Sequence, residues 1–367
     1  MKKVCHLSSV HHRHDTRILL KECTSLFKNG YEVHLVVADG KGFEDYNGIQ
    51  IHDVGKSQGR LGRFFNTTKA VYKKGLELDA HIYHFHDAEL IPKGIKLKKK
   101  GKKVIYDSHE DLPRQLMSKH YIHYFLRKPI SVLIEWYEDF ASRKFDFIIT
   151  ATPHIQKRFS KLNKSSLDIN NYPLLSELNT EMTDWDKKKN EVCYIGSITQ
   201  IRGLEEVIDA MGHLDGIKLN LAGSFAPPTF KDNLEGRNGW EKTNFLGQIN
   251  RDEVKRVLRE SQVGIVTFLP YGNHTHSQPN KLFEYMAQGI PLVASNFELW
   301  KTIIDKVNCG ICIDPNEPKA IADAIQILLN DKPQAKQMGE NGRNAVLNTF
   351  NWESEEKKLI KLYAELA

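Results

Sequence analysis

Short apolar runs alternate with segments of helical periodicity along most of the chain, and this alternation strongly restricts the folds open to it. Residues 2–10 begin as an apolar strand, residues 14–30 have helical periodicity that ends at Gly30, and residues 31–39 form a second apolar run. Strand–helix–strand units of this kind build parallel sheets that are covered by helices. We therefore predict an α/β protein with doubly wound sheets.

The alternation breaks once, over residues 170–190, and starts again with a fresh strand. The broken segment lacks periodicity and carries Pro173. A chain of 367 residues is long enough for two domains that each bury a core. We predict a first domain at residues 1–173, a linker at residues 174–190 and a second domain at residues 191–350.

Net charge is distributed unevenly between these halves. The whole chain carries +6, but residues 1–173 contain 30 Lys and Arg against 19 Asp and Glu, whereas residues 174–367 contain 22 against 27. A basic half joined to an acidic half indicates that the first half meets an anionic partner. Membrane lipid and a lipid diphosphate both fit, and nucleic acid ranks below them because no recognition module is apparent.

The composition predicts a cytoplasmic protein. Its five cysteines are few and scattered, which is typical of reduced thiols. No signal peptide is visible, and no apolar stretch approaches the length that spans a bilayer.

The segment SQPNKLFEYMAQGIPLVAS, residues 277–295, predicts a helix start followed by a buried strand. Pro279 suits an early helical position and Gly289 ends the helix. A helix start offers amides to a phosphate, and Glu284, one turn further in, can accept two hydrogen bonds from ribose hydroxyls. The alternative is a surface glutamate on an ordinary amphipathic helix.

Residues 194–210 predict a second strand, turn and helix, with Gly196 at the strand end and Gly203 before the helix. Arg202 lies in the turn, where its guanidinium could hold a diphosphate through two hydrogen bonds. The alternative is that Arg202 is an ordinary surface arginine that binds no ligand.

Polar side chains end two apolar strands of the first half. They are His86 and Asp87, and then Asp107, His109 and Glu110. Such positions bind ligands in doubly wound sheets. His84 and His86 share one strand face, a spacing that also suits metal ligands, and the second group could instead cap the following helix.

Aromatic and basic residues are interleaved in the stretch that follows. Tyr124, Phe125 and Trp136 lie close in sequence to Arg127 and Lys128. This mixture suits a helix that lies on an anionic membrane surface. Burial against a neighbouring helix is the alternative.

Residues 277–295 resemble the signature of the retaining glycosyltransferases of family 4, where a Pro-x-x-x-x-Glu helix followed by Ala-x-Gly-x-Pro binds the donor nucleotide. The resemblance covers nearly the whole chain. It implies the GT-B fold, with two Rossmann-like doubly wound domains facing across a cleft. It also implies that the final helix, residues 351–367, packs back on the first domain.

On the donor side, the resemblance implies a set of contacts with the nucleotide sugar. Ser197 and Arg202 take the arginine and lysine positions of the family's Gly-Arg-Leu-x-x-x-Lys-Gly loop. His276 stands where relatives carry a glutamate that touches the donor sugar. The remaining donor contacts implied are Gly223, Gly247 and Ile249 around the base, with Asn280, Lys281 and Glu284 on the nucleotide.

On the acceptor side, the family places a histidine at His86, facing the anomeric carbon and the acceptor hydroxyl, and Asp87 could orient it. Asp107, His109 and Glu110 would line the acceptor pocket. Arg13 or Arg17 would replace a phosphate contact that glycines make in relatives.

The resemblance implies an enzyme that transfers a sugar with retention from a nucleotide sugar, and we expect a UDP-sugar as this donor. The acceptor would be a hydroxyl of a lipid-linked or growing glycan in bacterial surface-polysaccharide synthesis. The enzyme would work at the inner face of the membrane. No cofactor or metal is expected, because protein cations and helix amides would hold the diphosphate charge. A UDP-sugar 2-epimerase and a non-catalytic membrane-associated scaffold are the alternatives.

Overall fold

The computed structural model describes residues 1–117, 122–177, 184–271 and 274–366, apart from the side chain of Arg60. The chain divides into two compact units. The first comprises Met1–Asn171 with Trp352–Ala367, and the second comprises Tyr172–Asn351.

The first unit is built on one sheet. Its strands are β1 (Lys3–Leu7), β2 (Glu32–Val37), β3 (Glu44–Tyr46), β4 (Ile49–Asp53), β5 (Ile82–Phe85), β6 (Lys103–Ser108), β7 (Phe147–Thr150) and β8 (Ser166–Asp168). Their order is β3-β4-β2-β1-β5-β6-β7-β8, and the pairing is parallel except between β3 and β4. Strand β1 therefore lies between β2 and β5, with its carboxyl end beside those of its neighbours.

Helices connect these strands. They are α1 (Thr24–Lys28), which continues a π-helical segment at Thr16–Cys23, α2 (Gly59–Gly62), a π-helical segment at Arg63–Thr67, α3 (Thr68–Leu78), α4 (Ile91–Lys99), α5 (Leu112–Leu116), α6 (Tyr124–Ser142) and α7 (Pro153–Phe159).

The central strands of the first unit are buried on both faces, as a parallel sheet covered by helices requires. Cys5, Tyr83 and Phe85 belong to the apolar core on one side. The alternate positions of the same strands carry His6 and His84, which pair in register and are fully buried. Such polar side chains must find partners inside the protein.

The second unit is a parallel sheet throughout. Its strands are β9 (Glu191–Ile195), β10 (Lys218–Ala222), β11 (Thr243–Gly247), β12 (Val263–Val266), β13 (Leu292–Ser295) and β14 (Gly310–Ile313), in the order β11-β10-β9-β12-β13-β14. Its helices are α8 (Leu204–Gly212), α9 (Phe230–Glu235), α10 (Arg251–Glu260), α11 (Asn280–Ala287), α12 (Glu298–Val307), α13 (Pro318–Asn330) and α14 (Lys332–Asn348).

The aperiodic segment at residues 170–190, which includes the expected linker, packs on the second unit through an aromatic residue on each side of its undescribed part. The ring of Tyr172 lies 4.7 Å from that of Phe283, edge to face, and Trp185 packs against the apolar core. Residues 178–183 lie outside the described part of the chain. Aromatic burial therefore assigns this stretch to the second unit.

Helix α15 (Trp352–Leu366) belongs to the first unit. Trp352 donates its indole N–H to Oγ of Ser25 at 2.9 Å, and a side-chain oxygen of Glu355 accepts from the amide of Asn170 at 2.9 Å. Its Tyr363 hydroxyl lies 2.8 Å from Nδ1 of His84. The helix thus supplies polar partners to the interior of the first unit.

Helix α6 carries the interleaved aromatic and basic stretch and presents an apolar face to solvent. Tyr124, Phe125, Leu126, Val132, Leu133 and Trp136 are each more than half exposed. The alternative of burial against a neighbouring helix therefore fails for these side chains. Among the described residues, no helix combines the length and apolar character needed to cross a bilayer.

Candidate active site

A pocket of about 390 Å³ opens in the second unit beyond the carboxyl ends of β9 and β10. Gly196 and Gly223 lie in its wall with φ of 140° and 143°. A Cβ on Gly223 would fall 1.8 Å from the carbonyl oxygen of Gly196. Two backbones can approach this closely only without side chains, so glycine at these positions lets the chain after β9 and the chain after β10 lie side by side in the pocket wall.

Several predicted donor contacts come together here. Ser197, Gly223 and Ile249 line the pocket, and the amide of Gly223 donates to the carbonyl of Gly247 at 2.8 Å. These residues follow the carboxyl ends of neighbouring parallel strands, where doubly wound sheets bind ligands.

Lys281 is the most unusual side chain beside this pocket. It is 7% exposed, and its Nζ lies 3.7 Å from the ring centroid of Tyr194 and close to Gly196. Nζ finds no hydrogen-bond partner among the described residues. Burial, reinforced by the charge of Arg202, holds the pKa of Lys281 well below its usual value. The structure thus places a buried amine beside a pocket, where the sequence allowed a solvated lysine.

Arg202 ends a short 3-10 helix and is half-buried. Its guanidinium carbon lies 4.6 Å from the ring centroid of Phe268, and its backbone carbonyl accepts from the hydroxyl of Thr267 at 3.3 Å. The residue after it, Gly203, has φ of 67°, a conformation that glycine adopts without strain. The turn therefore fixes the arginine near Lys281.

Helix α11 starts at Asn280, after Pro279, with no side-chain hydrogen bond closing its N-terminus. Asn280 is exposed, and so is Glu284 one turn later. His276 is also exposed, at the end of a 3-10 helix, and the loop that follows is held by the indole of Trp300, which donates to the carbonyl of Ser277 at 2.6 Å. The start of α11 therefore carries exposed side chains at Asn280 and Glu284.

In the first unit, His86 is buried, although it was predicted to face the acceptor hydroxyl. Its side chain is 0% exposed, with Nε2 lying 2.9 Å from Nδ1 of His6 and Nδ1 lying 3.3 Å from a carboxylate oxygen of Asp107. Burial lowers the pKa of His86 to about 4. Both ring nitrogens are therefore engaged inside the protein, and an acceptor hydroxyl cannot reach them in this structure.

Asp87 orients a different histidine. Its Oδ1 lies 3.1 Å from Nδ1 of His11, whose side chain is 27% exposed, and Oδ2 accepts from the amide and hydroxyl of Ser9 and the hydroxyl of Ser8. Burial disfavours the charged imidazole, but the hydrogen bond to Asp87 and the charges of Asp87, Asp15 and Asp107 together outweigh it, so the pKa of His11 is raised. The accessible His–Asp pair is thus His11 with Asp87.

The two arginines expected at the donor phosphates have other partners. Arg17 is 4% exposed and binds both carboxylate oxygens of Asp107, at 3.0 and 2.9 Å, and the carbonyl of Ile169 at 2.7 Å. Arg13 is held by Asp39 and Glu44. Every guanidinium nitrogen is engaged, so the prediction for Arg13 and Arg17 is wrong in this structure.

The predicted acceptor residues after β6 split into buried and accessible members. Asp107 is fully buried between Arg17 and His109, so it cannot contact an acceptor directly. His109 is 17% exposed at its side chain, and Glu110 is exposed. No side-chain bond caps α5, so the capping alternative also fails.

The sequence analysis assigned no role in the site to four residues of this region: His6, His11, Glu22 and Tyr363. His6 follows the strand alternation of β1, and His11 lies in the loop after it, so the doubly wound pattern offered a signal for both. Glu22 and Tyr363 come from helices, and only packing brings them to the sheet.

The whole chain resembles solved structures in its fold. It superposes on sucrose-phosphate synthase from Thermosynechococcus elongatus with a TM-score of 0.80 and 18% identity, covering 100% of this chain and 99% of the other. For Anabaena Alr3699/HepE in complex with UDP and glucose, the TM-score is 0.74 with 15% identity, covering 100% of both chains. Two parallel-sheet α/β domains of this kind define the GT-B class of glycosyltransferases.

Sequence relatives agree with this class. The uncharacterized glycosyltransferase MJ1069 of Methanocaldococcus jannaschii is 25% identical over 289 residues, 74% of this chain and 70% of its own. The capsular polysaccharide biosynthesis glycosyltransferase CapM of Staphylococcus aureus is 23% identical over 178 residues, 46% of this chain and 44% of its own. The match thus spans less than half of the second relative.

Two family models match consecutive parts of the chain. Residues 16–166 match the model described as Glycosyltransferase Family 4, and residues 176–345 match Glycosyl transferases group 1. The chain belongs to this family of glycosyltransferases and is a transferase.

Proposed function

We propose that the protein transfers a sugar, with retention at the anomeric carbon, from a UDP-sugar to a hydroxyl of a lipid-linked or growing glycan in bacterial surface-polysaccharide synthesis. The observation that carries the proposal is the buried Lys281, whose Nζ has no hydrogen-bond partner among the described residues. A buried amine without a partner is costly unless a ligand supplies one. A donor diphosphate is such a ligand.

Lys281 and Arg202 hold the diphosphate in this proposal, together with the amides at the start of α11. Two cations and a helix start concentrate positive charge on one side of the pocket. They stabilise the departing nucleoside diphosphate without a metal, as the sequence led us to expect. The retained charge at Arg202 compensates for Ser197, which contributes no cation.

Glu284 binds the ribose, and the pocket receives the base. The carboxylate can accept from both ribose hydroxyls because it is exposed one turn from the helix start. Ile249 and the backbones of Gly196 and Gly223 line a space suited to a flat heterocycle. A fold neighbour solved with UDP and glucose supports uracil as the base.

In this proposal His11, instead of His86, is the residue that acts on the acceptor hydroxyl. Nδ1 faces Asp87, so Nε2 is the atom that accepts the proton of the acceptor hydroxyl. The acceptor oxygen then bonds to the anomeric carbon while the bond from that carbon to the diphosphate oxygen breaks. The ring of His109, 5.0 Å from that of His11, lies beside this base.

Helix α6 is assigned to the membrane that carries the acceptor. Its exposed Leu133 and Trp136 offer apolar surface, and the first half of the chain is basic. Apolar side chains with cations nearby suit an anionic bilayer surface. The name of the capsular relative supports a surface polysaccharide as the product.

A panel of nucleotide sugars tests the proposal. A bound donor raises the melting temperature by mass action, and we expect a UDP-sugar to give the largest rise. Nucleotide release that depends on added lipid-linked acceptor then establishes transfer. Epimerisation of the nucleotide sugar without acceptor would favour the 2-epimerase. If calorimetry detects no binding of any nucleotide sugar, a non-catalytic scaffold is favoured.

A further inference from the structure

Three histidines and one glutamate meet in the interior of the first unit, away from solvent. They are His6 on β1, His84 on β5, His86 just after β5, and Glu22 on the π-helical segment before α1, and they offer ligand atoms that all lie within 4.8 Å of one another. Every one of these side chains is 0% exposed. We propose that they form a structural binding site for a divalent transition metal, with zinc the best match.

The carboxylate of Glu22 is the observation that requires an explanation. Both of its oxygens are buried, and neither accepts a hydrogen bond from any described residue. Nε of Arg17 lies 3.1 Å from Oε1 and offsets part of the charge, whereas Oε2 faces the three imidazoles. A buried carboxylate oxygen without a partner is strongly unfavourable, and a cation among the rings would satisfy it.

The distances around Oε2 leave room for an ion. Oε2 lies 4.0 Å from Nδ1 of His6, 3.9 Å from Nδ1 of His84 and 4.0 Å from Nε2 of His86. These gaps are too long for hydrogen bonds. Ligand atoms around a tetrahedral zinc are about 3.4 Å apart. Glu22 therefore needs to approach by about half an ångström, and Nδ1 of His6 and Nε2 of His86, which are 2.9 Å apart, need to separate by about as much.

The surrounding groups fit metal-bound imidazoles. With Nε2 of His86 on the ion, its Nδ1–H would donate to Asp107, whose oxygen is 3.3 Å away. With Nδ1 of His6 on the ion, its Nε2–H would donate to the Tyr363 hydroxyl at 3.4 Å. Histidine ligands commonly donate their second N–H to a carboxylate or another oxygen. The bond between Tyr363 and Nδ1 of His84, at 2.8 Å, is the contact that coordination replaces.

A shared proton is the competing explanation, and it accounts for less. A proton between His6 and His86 explains the 2.9 Å between their nitrogens. It leaves Oε2 of Glu22 without a partner among the described residues, whereas Nε2 of His84 has none under either explanation. A four-ligand ion instead joins β1, β5 and the first helical segment, which makes the site closed and structural. It lies in the first unit, so it does not alter the metal-free binding proposed for the donor.

Metal content of the tag-free protein tests the site, and the test does not depend on transfer activity. After dialysis in metal-free buffer, elemental mass spectrometry should find close to one zinc ion per protein chain. Apoprotein prepared with a chelator should take up Co²⁺ with the visible absorption of tetrahedral cobalt, and Zn²⁺ should displace it and raise the melting temperature.

Two variants sharpen the result. Glu22→Gln should weaken cobalt binding by more than about tenfold. His52→Gln is the matched control, because His34 and His52 form another close imidazole pair, 3.1 Å apart, outside this cluster; it should bind as the wild type does. Absence of any zinc or cobalt uptake by the wild-type protein overturns the proposal, as does unchanged uptake in a folded Glu22→Gln. If that variant does not fold, the wild-type titration decides alone.

Discussion

Nδ1 of His11 lies 3.1 Å from Oδ1 of Asp87, and this pair is the accessible end of a region whose other imidazoles are mostly buried. Asp15 and Asp107 also act on His11 electrostatically, in the same direction as Asp87, while the His109 ring lies beside it. His11 is therefore both reachable and more basic than an ordinary histidine.

His11→Gln should lower kcat by about 10²- to 10⁴-fold, because a general base is lost, while donor binding is kept. A base must be deprotonated, so the wild-type rate should fall as the pH drops below the raised pKa of His11. The exposed His12 is the control, and His12→Gln should leave rate and profile unchanged. Equal kcat in the two variants would remove His11 from the mechanism.

Glu284→Ala should abolish measurable donor binding by calorimetry and cripple transfer. Because the side chain is exposed, the free energy of unfolding should change by no more than about 0.5 kcal/mol. Glu241→Ala alters another exposed glutamate of the same unit, outside the pocket lining, and should bind donor normally. Unchanged kinetics in Glu284→Ala would contradict the donor site.

Donor binding should be coupled to proton uptake at Lys281. Burial and Arg202 depress its pKa, and a bound diphosphate raises it, so donor affinity should decline as the pH rises through the pKa of the free protein. Calorimetry in buffers of different ionisation enthalpy measures the uptake. Lys281→Arg, always charged, should lose it, and persistence of the same uptake in that variant would assign the proton elsewhere.

Arg17→Met should destabilise the first unit by about 3–5 kcal/mol, because Asp107 would be left buried without its bidentate partner. Arg63→Met removes an ion pair with Glu89 in which the arginine is 42% exposed, and should cost about 1 kcal/mol or less. Denaturant unfolding of both variants gives the comparison. Similar small losses would mean that the buried pair adds little.

Replacing Leu133 and Trp136 with serine should weaken binding to vesicles that contain anionic lipid, by about tenfold for each side chain that the bilayer buries. Ile327→Ser changes an exposed apolar residue of the second unit and serves as the control. Co-sedimentation measures both. Binding that is equal in all three proteins would exclude α6 as the membrane surface.

Much of the fold could be predicted from the sequence, because periodicity is a local property. The alternation predicted two doubly wound sheets, and the Pro279–Gly289 segment predicted a helix start with Glu284 one turn inside. The strand spacing also put His84 and His86 on one face, which the structure confirms. The segment around Trp185 was harder, since an aperiodic stretch does not reveal which core its aromatic side chains will enter.

What the sequence determined by itself was therefore the class of fold, the family and the chemistry available at strand ends and helix starts. Only the tertiary structure decided which of those groups is reachable. His86 is buried because His6 and Asp107 arrive from other elements, while the loop after β1 leaves His11 open beside Asp87. Lys281 is buried because the ring of Tyr194 lies beneath its amine. Exposure and pKa depend on contacts between residues far apart in the chain, and neither periodicity nor a motif encodes them.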